Sequence, residues 1–369
     1  MTANLTKNLI TLSLSILLSI ILAEVLIATL APQDLVKVKL DPYTVHRPIE
    51  NTKLELVRKD FHTISKTNSK GIYDYEYDYN FSGFTVVMLG DSMTQGTQVN
   101  FKERYSKILE EKLLSKSKNI RIINCGIANT GTDQQYMFLK NECIKYNPEL
   151  IILYFFVGND FTDNYASLLF SYENGKLIDK TPIKFSFLQR MLHWANTRFN
   201  TVRLTERMLQ KNNITKKLLF NLGFYKSPAN NNKDYYKIFF LDEDKEITNI
   251  GYEKTFLIIN ELSNYTKNQN VQLIIAIIPT REQVDDGKFN EYFHGYNYAE
   301  ILKPNRKLIN YLNANNITYI DFLPYLKQKN KNNTFYYEHD GHLNKEGHKL
   351  VADVTFNEFG NSGIINKKY

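Results

Sequence analysis

The sequence predicts an α/β fold built on a parallel sheet, and two observations carry that prediction. Five short apolar runs, Phe84 to Leu89, Ile120 to Asn124, Leu150 to Phe156, Val271 to Ile278 and Ile317 to Phe322, are of the continuous kind that strands buried on both faces require. Helical periods lie between them, at Tyr105 to Leu114, Gln134 to Lys145, Tyr252 to Asn268 and Asn305 to Asn313. Alternating strand and helix units put a parallel sheet between two helical layers.

Length and composition fit this class. A chain of 369 residues can bury one large core with an embellishment. With 43% apolar and 23% charged residues it is globular and not disordered. The net charge of +7 is scattered rather than gathered into a stripe, which argues against a nucleic acid partner. No His/Cys cluster has zinc-ligand spacing, so neither a metal nor another cofactor is expected. The two cysteines, Cys125 and Cys143, are expected to be free and buried. Cys125 should sit at the top of the second strand and Cys143 about three turns down the following helix, roughly 16 Å away.

The first element in chain order is Leu9 to Ala31, almost unbroken Leu, Ile, Ala, Ser and Val and long enough to span a bilayer. It reads as an uncleaved N-terminal anchor, because the best small-residue cleavage point, after Ala31, is followed by Pro32. A single span ahead of a large domain acts as an export signal, so the catalytic part is placed outside the cytoplasm. Glu24 is the anomaly within it. A carboxylate at that depth is costly, and it hints either at a membrane partner or at a protonated side chain.

Residues 32 to 80 form a connecting arm with prolines, scattered charges and the tyrosine-rich stretch Tyr73 to Tyr79, expected to pack on the domain. The domain proper covers residues 81 to 369, with an insertion at about 163 to 250. Inside the insertion, Phe187 to Lys211 reads as one basic amphipathic helix with Leu188, Met191, Leu192, Ala195, Phe199 and Val202 on one face. It could cover the site, lie on lipid, or pack on the domain. Ala229 to Lys233 then reads as an exposed loop.

The chemistry concentrates after the first strand. Gly90-Asp91-Ser92 lies at a strand-to-helix switch, the position outside the carboxyl end of a parallel sheet where ligands bind. A serine there has an exposed hydroxyl and a backbone N–H at a helix N-terminus. The bland alternative is that Asp91 and Ser92 only cap the helix. Three further stretches follow in order: Asn124 to Gly131 after the second strand, Val157 to Asp160 after the third, and Asp340-Gly341-His342-Leu343-Asn344 near the C-terminus. These four blocks resemble those of the SGNH (GDSL) hydrolases, over roughly residues 81 to 356. The resemblance implies a flavodoxin-like three-layer α/β/α domain whose five-stranded parallel sheet has the order 2-1-3-4-5.

It also implies roles that physical chemistry makes sensible. A serine hydroxyl needs a general base to remove its proton as it attacks. Among seven histidines, His342 is the base the resemblance selects, with Asp340 as the carboxylate that orients it. His339 is the reserve, and His348 falls on the following helix as a packed residue. The oxyanion donors are the Ser92 N–H, the Gly126 N–H and the Asn159 side-chain amide. The commoner family spacing is Asp-x-x-His, whereas Asp340 and His342 have one residue between them, as in membrane-linked and polysaccharide-modifying relatives. Asn129 replaces a glycine of the second block, which Asn can do because it tolerates left-handed backbone. Gly158 directly precedes Asn159, where relatives place one residue between. Asp160 and Asp91 read as loop and cap residues, and Gln134 or Gln135 as an anchor for the second helix.

The leading expectation is a membrane-anchored serine esterase, an O-deacetylase, that removes small acyl groups from a cell-surface glycan or lipid through an acyl-Ser92 intermediate. A second passes the acyl group to a sugar hydroxyl, as in proteins resembling the alginate acetylation components. A third, from another class, is a catalytically silent envelope scaffold.

Overall fold

The computed structural model describes residues 2–116, 119–210, 215, 237–241, 245–329 and 334–362. The expected loop at Ala229 to Lys233, and Lys211 at the end of the expected long helix, lie outside the described residues. The chain divides into two compact units, one of residues 1–40 and 184–230, the other of residues 41–183 and 231–369.

The larger unit is organised by a five-stranded parallel sheet. Its strands are β1 (Phe84–Gly90), β2 (Ile120–Asn124), β3 (Leu150–Phe156), β4 (Gln272–Ile278) and β5 (Tyr319–Asp321). β1 pairs with both β2 and β3, β3 with β4 and β4 with β5, so the spatial order is 2-1-3-4-5. Every residue of β1 and β2 is buried, which is why both read as unbroken apolar runs.

The other elements named here are α1 (Thr2–Leu30), α2 (Ser92–Gln95), α3 (Tyr105–Leu114), α4 (Thr132–Asn141), α5 (Asp160–Ala166), α6 (Phe187–Asn196), α7 (Asn200–Gln210), α8 (Lys245–Asn268), α9 (Lys303–Ala314) and α10 (Lys345–Ser362). Alternate residues of the strands feed two cores. Val87, Leu89, Ile151, Leu153, Ile275 and Ile277 pack under α4, α8 and α9, meeting Met137, Ile259 and Leu308. Val86, Met88, Ile152, Tyr154 and Ile274 pack on the opposite face against Leu109 of α3 and Val351 of α10. Losing one such fully buried aliphatic side chain to alanine costs about 2–5 kcal/mol.

Residues 41 to 80 belong to this unit, and buried Arg104 fastens them. Its guanidinium donates to Gly96 O at 3.0 Å, Tyr73 O at 2.5 Å and Ser65 Oγ at 2.6 Å, and burial pulls its pKa down to about 10. Two hairpins in this unit went unseen in the sequence, Lys53–Val57 with His62–Lys66 and Phe170–Glu173 with Lys176–Asp179. The second turns on Asn174 and Gly175, both at positive φ, a pairing that favours tight hairpins.

The cysteines correct an expectation. Cys125 and Cys143 form a disulfide, with Cα atoms 6.7 Å apart. The chain does not turn back at Asn124: the Cys125 and Ile127 amides continue the ladder, donating to Met88 O and Gly90 O. α4 therefore starts well beyond the strand end, and its return brings Cys143 level with Cys125.

The smaller unit contains α1, α6 and α7. Among the described residues one helix, Asn4–Leu30, is long and apolar enough to cross a membrane, with mean hydropathy 2.5. The single amphipathic helix expected from Phe187 onward is broken at Thr197 into α6 and α7. The break has a cause in α1. Glu24 accepts from the Asn200 N–H at 2.7 Å and the Thr201 N–H at 2.9 Å, and also from the Asn200 amide and Thr201 hydroxyl. A carboxylate there satisfies two of the orphan amides at the start of α7 and complements its dipole. Glu24 thus finds its partners in its own chain, which corrects the reading that it marks a membrane partner.

Candidate active site

The site forms where β1 and β3 end side by side. Gly90 closes β1 with φ +155°, and a Cβ there would lie 1.9 Å from Thr94 Oγ1, so the turn into α2 needs glycine. Asp91 caps α2 by accepting from the Met93 N–H at 2.8 Å. The capping expectation and the nucleophile expectation are therefore compatible. Asp91 does the capping, and Ser92, half-exposed, carries its hydroxyl out of the first turn.

His342 Nε2 stands 2.8 Å from Ser92 Oγ, and His342 Nδ1 is hydrogen-bonded to Asp340 Oδ1. A hydroxyl, an imidazole and a carboxylate in that sequence can support nucleophilic attack, the imidazole taking the hydroxyl proton and the carboxylate orienting the ring. The loop that presents the last two is tight: Gly341 N–H donates to Tyr337 O, Tyr337 N–H donates to His342 O, and Gly341 has φ +83°. Burial tends to raise the Asp340 pKa, yet the hydrogen bonds and charge of His342, together with the charge of Arg58, outweigh it and hold the carboxyl below its ordinary value. An ionised Asp340 can then stabilise imidazolium. His339 is exposed, and its backbone N–H donates to Asp60. His348 is buried, accepts from the Tyr105 N–H at 3.1 Å and stacks on the Tyr105 ring. Burial pushes its pKa down to about 3.

The three expected oxyanion donors differ in their present partners. The Ser92 N–H heads α2, where a helix has no acceptor of its own to offer. The Asn159 amide, at the end of β3, donates to Asp163 Oδ2 at 2.9 Å. The Gly126 N–H donates to Asn124 Oδ1 at 3.0 Å, so a contact with substrate would share or exchange that bond. Gly126 is small for a different reason than close approach to a ligand. A Cβ there would sit 2.4 Å from Gln95 N, against the backbone of α2. Asn129 adopts φ 59°, the left-handed turn expected of it.

Behind these residues lies a buried polar floor. Asp160 accepts from the Phe156 N–H at 2.8 Å and from Gln135 Nε2 at 3.4 Å. Burial, with the charges of Asp91 and Asp163, pushes its carboxyl well above the ordinary range. Burial likewise raises Asp91, which faces the Asn159 side chain. Gln134 Nε2 reaches Thr44 O at 2.6 Å, so both glutamines act as anchors.

Several contributors were not legible in the sequence. Asp60 Oδ2 receives the His339 and Asp340 amides at 2.7 and 2.9 Å. Arg281 donates to Tyr337 O and Glu338 O, gripping the same loop from the other side. Asn124 holds Thr94 O and Gly126 N–H together. Asp60 and Arg281 act across long sequence separations, and no local pattern announces them. Among the described residues, no group of three or more His, Cys, Asp or Glu side chains could hold a metal ion.

Residues 239–365 match a family model described as "SGNH hydrolase-like domain, acetyltransferase AlgX". No curated protein matches the chain. Among solved structures, the acetyl xylan esterase AlAXEase is similar at 14% identity, covering 74% of this chain and 99% of its own, with a TM-score of 0.42. A catalytic variant of Axe2, an acetylxylan esterase from Geobacillus stearothermophilus, is similar at 11% identity, covering 77% and 97%, with a TM-score of 0.43. A lipase/acylhydrolase from Enterococcus faecalis is similar at 13% identity, covering 76% and 96%, with a TM-score of 0.40. The class of protein the fold defines is α/β, a five-stranded parallel sheet between helical layers. Within it, residues 239–365 are similar to an SGNH hydrolase-like domain.

Proposed function

We propose that the chain is a membrane-anchored serine esterase, an O-deacetylase, acting on small acyl esters of a cell-surface glycan or lipid. The observation that supports it most directly is the continuous hydrogen-bonded line from Ser92 through His342 to Asp340. In this reading Ser92 Oγ attacks the ester carbonyl carbon while His342 Nε2 takes the hydroxyl proton, and Asp340 balances the resulting imidazolium. The carbonyl oxygen, now an anion, is met by the Ser92 N–H and the Asn159 amide, with Gly126 as the third donor. The tetrahedral intermediate collapses, the C–O bond to the alcohol breaks, and His342 returns the proton to that alcohol. Water, deprotonated by His342, then attacks the acyl-Ser92 carbonyl and releases the carboxylic acid and the free serine.

The location follows the same reasoning. α1 has the length and hydropathy of a membrane span, and a buried disulfide belongs to an oxidising compartment. Both favour an anchor with the catalytic domain outside the cytoplasm. A second reading keeps acyl-Ser92 and replaces water by a sugar hydroxyl. The match to a family described as an acetyltransferase over residues 239–365 supports it.

The full chain in detergent, treated with a fluorophosphonate and assayed on 4-nitrophenyl acetate, tests the reading. Labelling and acetate release should vanish in Ser92→Ala and His342→Ala. A folded wild type that neither labels nor turns over would sink the serine mechanism and favour a silent scaffold. Acetylated glycans with and without an acceptor polysaccharide then separate hydrolysis from transfer.

A further inference from the structure

The smaller unit contains a helix that is inside out for a water-soluble protein. On α6, Phe187, Leu188, Met191, Leu192, Trp194 and Ala195 share one face, and Gln189, His193 and Asn196 share the other. The polar side is the one turned to the chain. His193 Nε2 pairs with Val38 O at 2.9 Å, and the Val36 N–H donates to Asn196 O at 3.2 Å. The apolar side faces outward: Phe187 is 82% exposed, Trp194 49%, Leu188 45% and Met191 44%. A contiguous apolar face of this kind marks a contact with something apolar.

Continuity with α1 identifies what that is. Phe199 packs edge-on against Trp194 at 5.5 Å, and the next two residues, Asn200 and Thr201, are the ones Glu24 clasps. The apolar face is thus tied, through Phe199, to a fixed point on α1. From Leu9 to Leu30 the span has about 22 residues, or roughly 33 Å at 1.5 Å per residue, enough for the ~30 Å of a hydrocarbon core. Glu24 then lies about 9 Å inside the C-terminal end of the span, within the depth an interfacial helix reaches, and α7 starts there. Exposed Arg190 lies beside the apolar face, and Arg198 sits over the Trp194 ring at 4.9 Å, where headgroup phosphates would be met.

We infer that α6 is a membrane-surface helix, seated with Phe187, Leu188, Met191 and Trp194 in the acyl-chain boundary and set at that depth by the Glu24 clasp. This rests on the proposed role of α1 as a membrane anchor. It makes the smaller unit a two-point mount on the lipid, one point spanning and one lying flat.

Trp194 is the only tryptophan of the chain, so its fluorescence reports on α6 alone. The full chain is reconstituted into phosphatidylcholine–phosphatidylglycerol vesicles, with or without phospholipids brominated high on the acyl chains, and the vesicles are floated. An interfacial helix buries its apolar face about 5–10 Å deep, so bromolipid should quench Trp194 strongly. The double variant Phe187→Glu, Met191→Glu should still float and lose that quenching. Flotation of the wild type without quenching overturns the inference and leaves the anchor standing. Trp194 shielded from both bromolipid and aqueous acrylamide would overturn it in favour of a second copy covering the face. Failure to float after alkaline extraction overturns the anchor, and the seating of α6 with it.

Discussion

The Asp60 carboxylate receives the backbone N–H of Asp340 at 2.9 Å, across 280 positions of sequence. The same oxygen also takes the His339 N–H. A turn in the arm therefore fixes the backbone of the loop that presents the candidate base.

Asp60 should accordingly act as a positioning residue. Asp60→Ala leaves two amides of that loop without their acceptor and lets His342 drift from Ser92. Displacements on the order of 1 Å cost up to about 100-fold in rate. A fall in kcat of about 10- to 100-fold on 4-nitrophenyl acetate is expected, with KM little changed. Asp60→Asn, whose amide oxygen can still accept both bonds, should recover most of the loss. Equal damage from both variants would refute the geometric argument.

Asn159→Ala should lower kcat by about 100- to 1,000-fold, the usual cost of one oxyanion donor. Fluorophosphonate labelling should slow in parallel, because the phosphonyl oxygen occupies the same pocket. Loss of thermal stability without loss of kcat per folded molecule would instead show that Asn159 serves only to hold Asp163.

The buried imidazole of His348 makes stability depend on pH. Its folded pKa, about 3, lies below the ordinary value of 6.5. Between those values the unfolded chain binds a proton that the folded chain refuses, so stability falls as pH falls through this window. Urea midpoints should drop steadily from about pH 6.5 downward, by a few kcal/mol in all. His348→Asn keeps an acceptor for the Tyr105 N–H and cannot charge, and it should flatten that slope.

The Cys125–Cys143 bridge closes a loop of 18 residues. A cross-link of that size stabilises by about 3 kcal/mol in the chain-entropy view. Cys125→Ala, Cys143→Ala should lower the urea midpoint by a corresponding amount. Reductant should then shift the wild type and leave the double variant unmoved.

What could be read in the sequence was whatever is local. Phe84 to Gly90 and Leu150 to Phe156 are buried on both faces, and such burial leaves a continuous apolar run that needs no partner to be seen. Gly90-Asp91-Ser92 and Asp340-Gly341-His342 were equally plain, because each is a single turn. The order of the strands came from the family resemblance and not from the runs themselves. What escaped depends on contacts between distant residues. The disulfide was missed because the distance was counted along a helix, ignoring how far the Cys125–Gly131 segment carries the chain past β2. The division between α6 and α7 was missed because its cause, Glu24, lies 176 residues away. Asp60 has no neighbour in the sequence that betrays it.

The candidate pair Ser92 and His342 is separated by 250 residues, and that distance is also a delay. A ribosome adding about 5–20 residues per second needs roughly 12–50 s to travel it. Throughout that interval the hydroxyl exists in a chain that does not yet hold His342. The Ser92–His342 contact is completed last, once α10 has closed on α3, so an unfinished copy of this protein lacks the candidate pair.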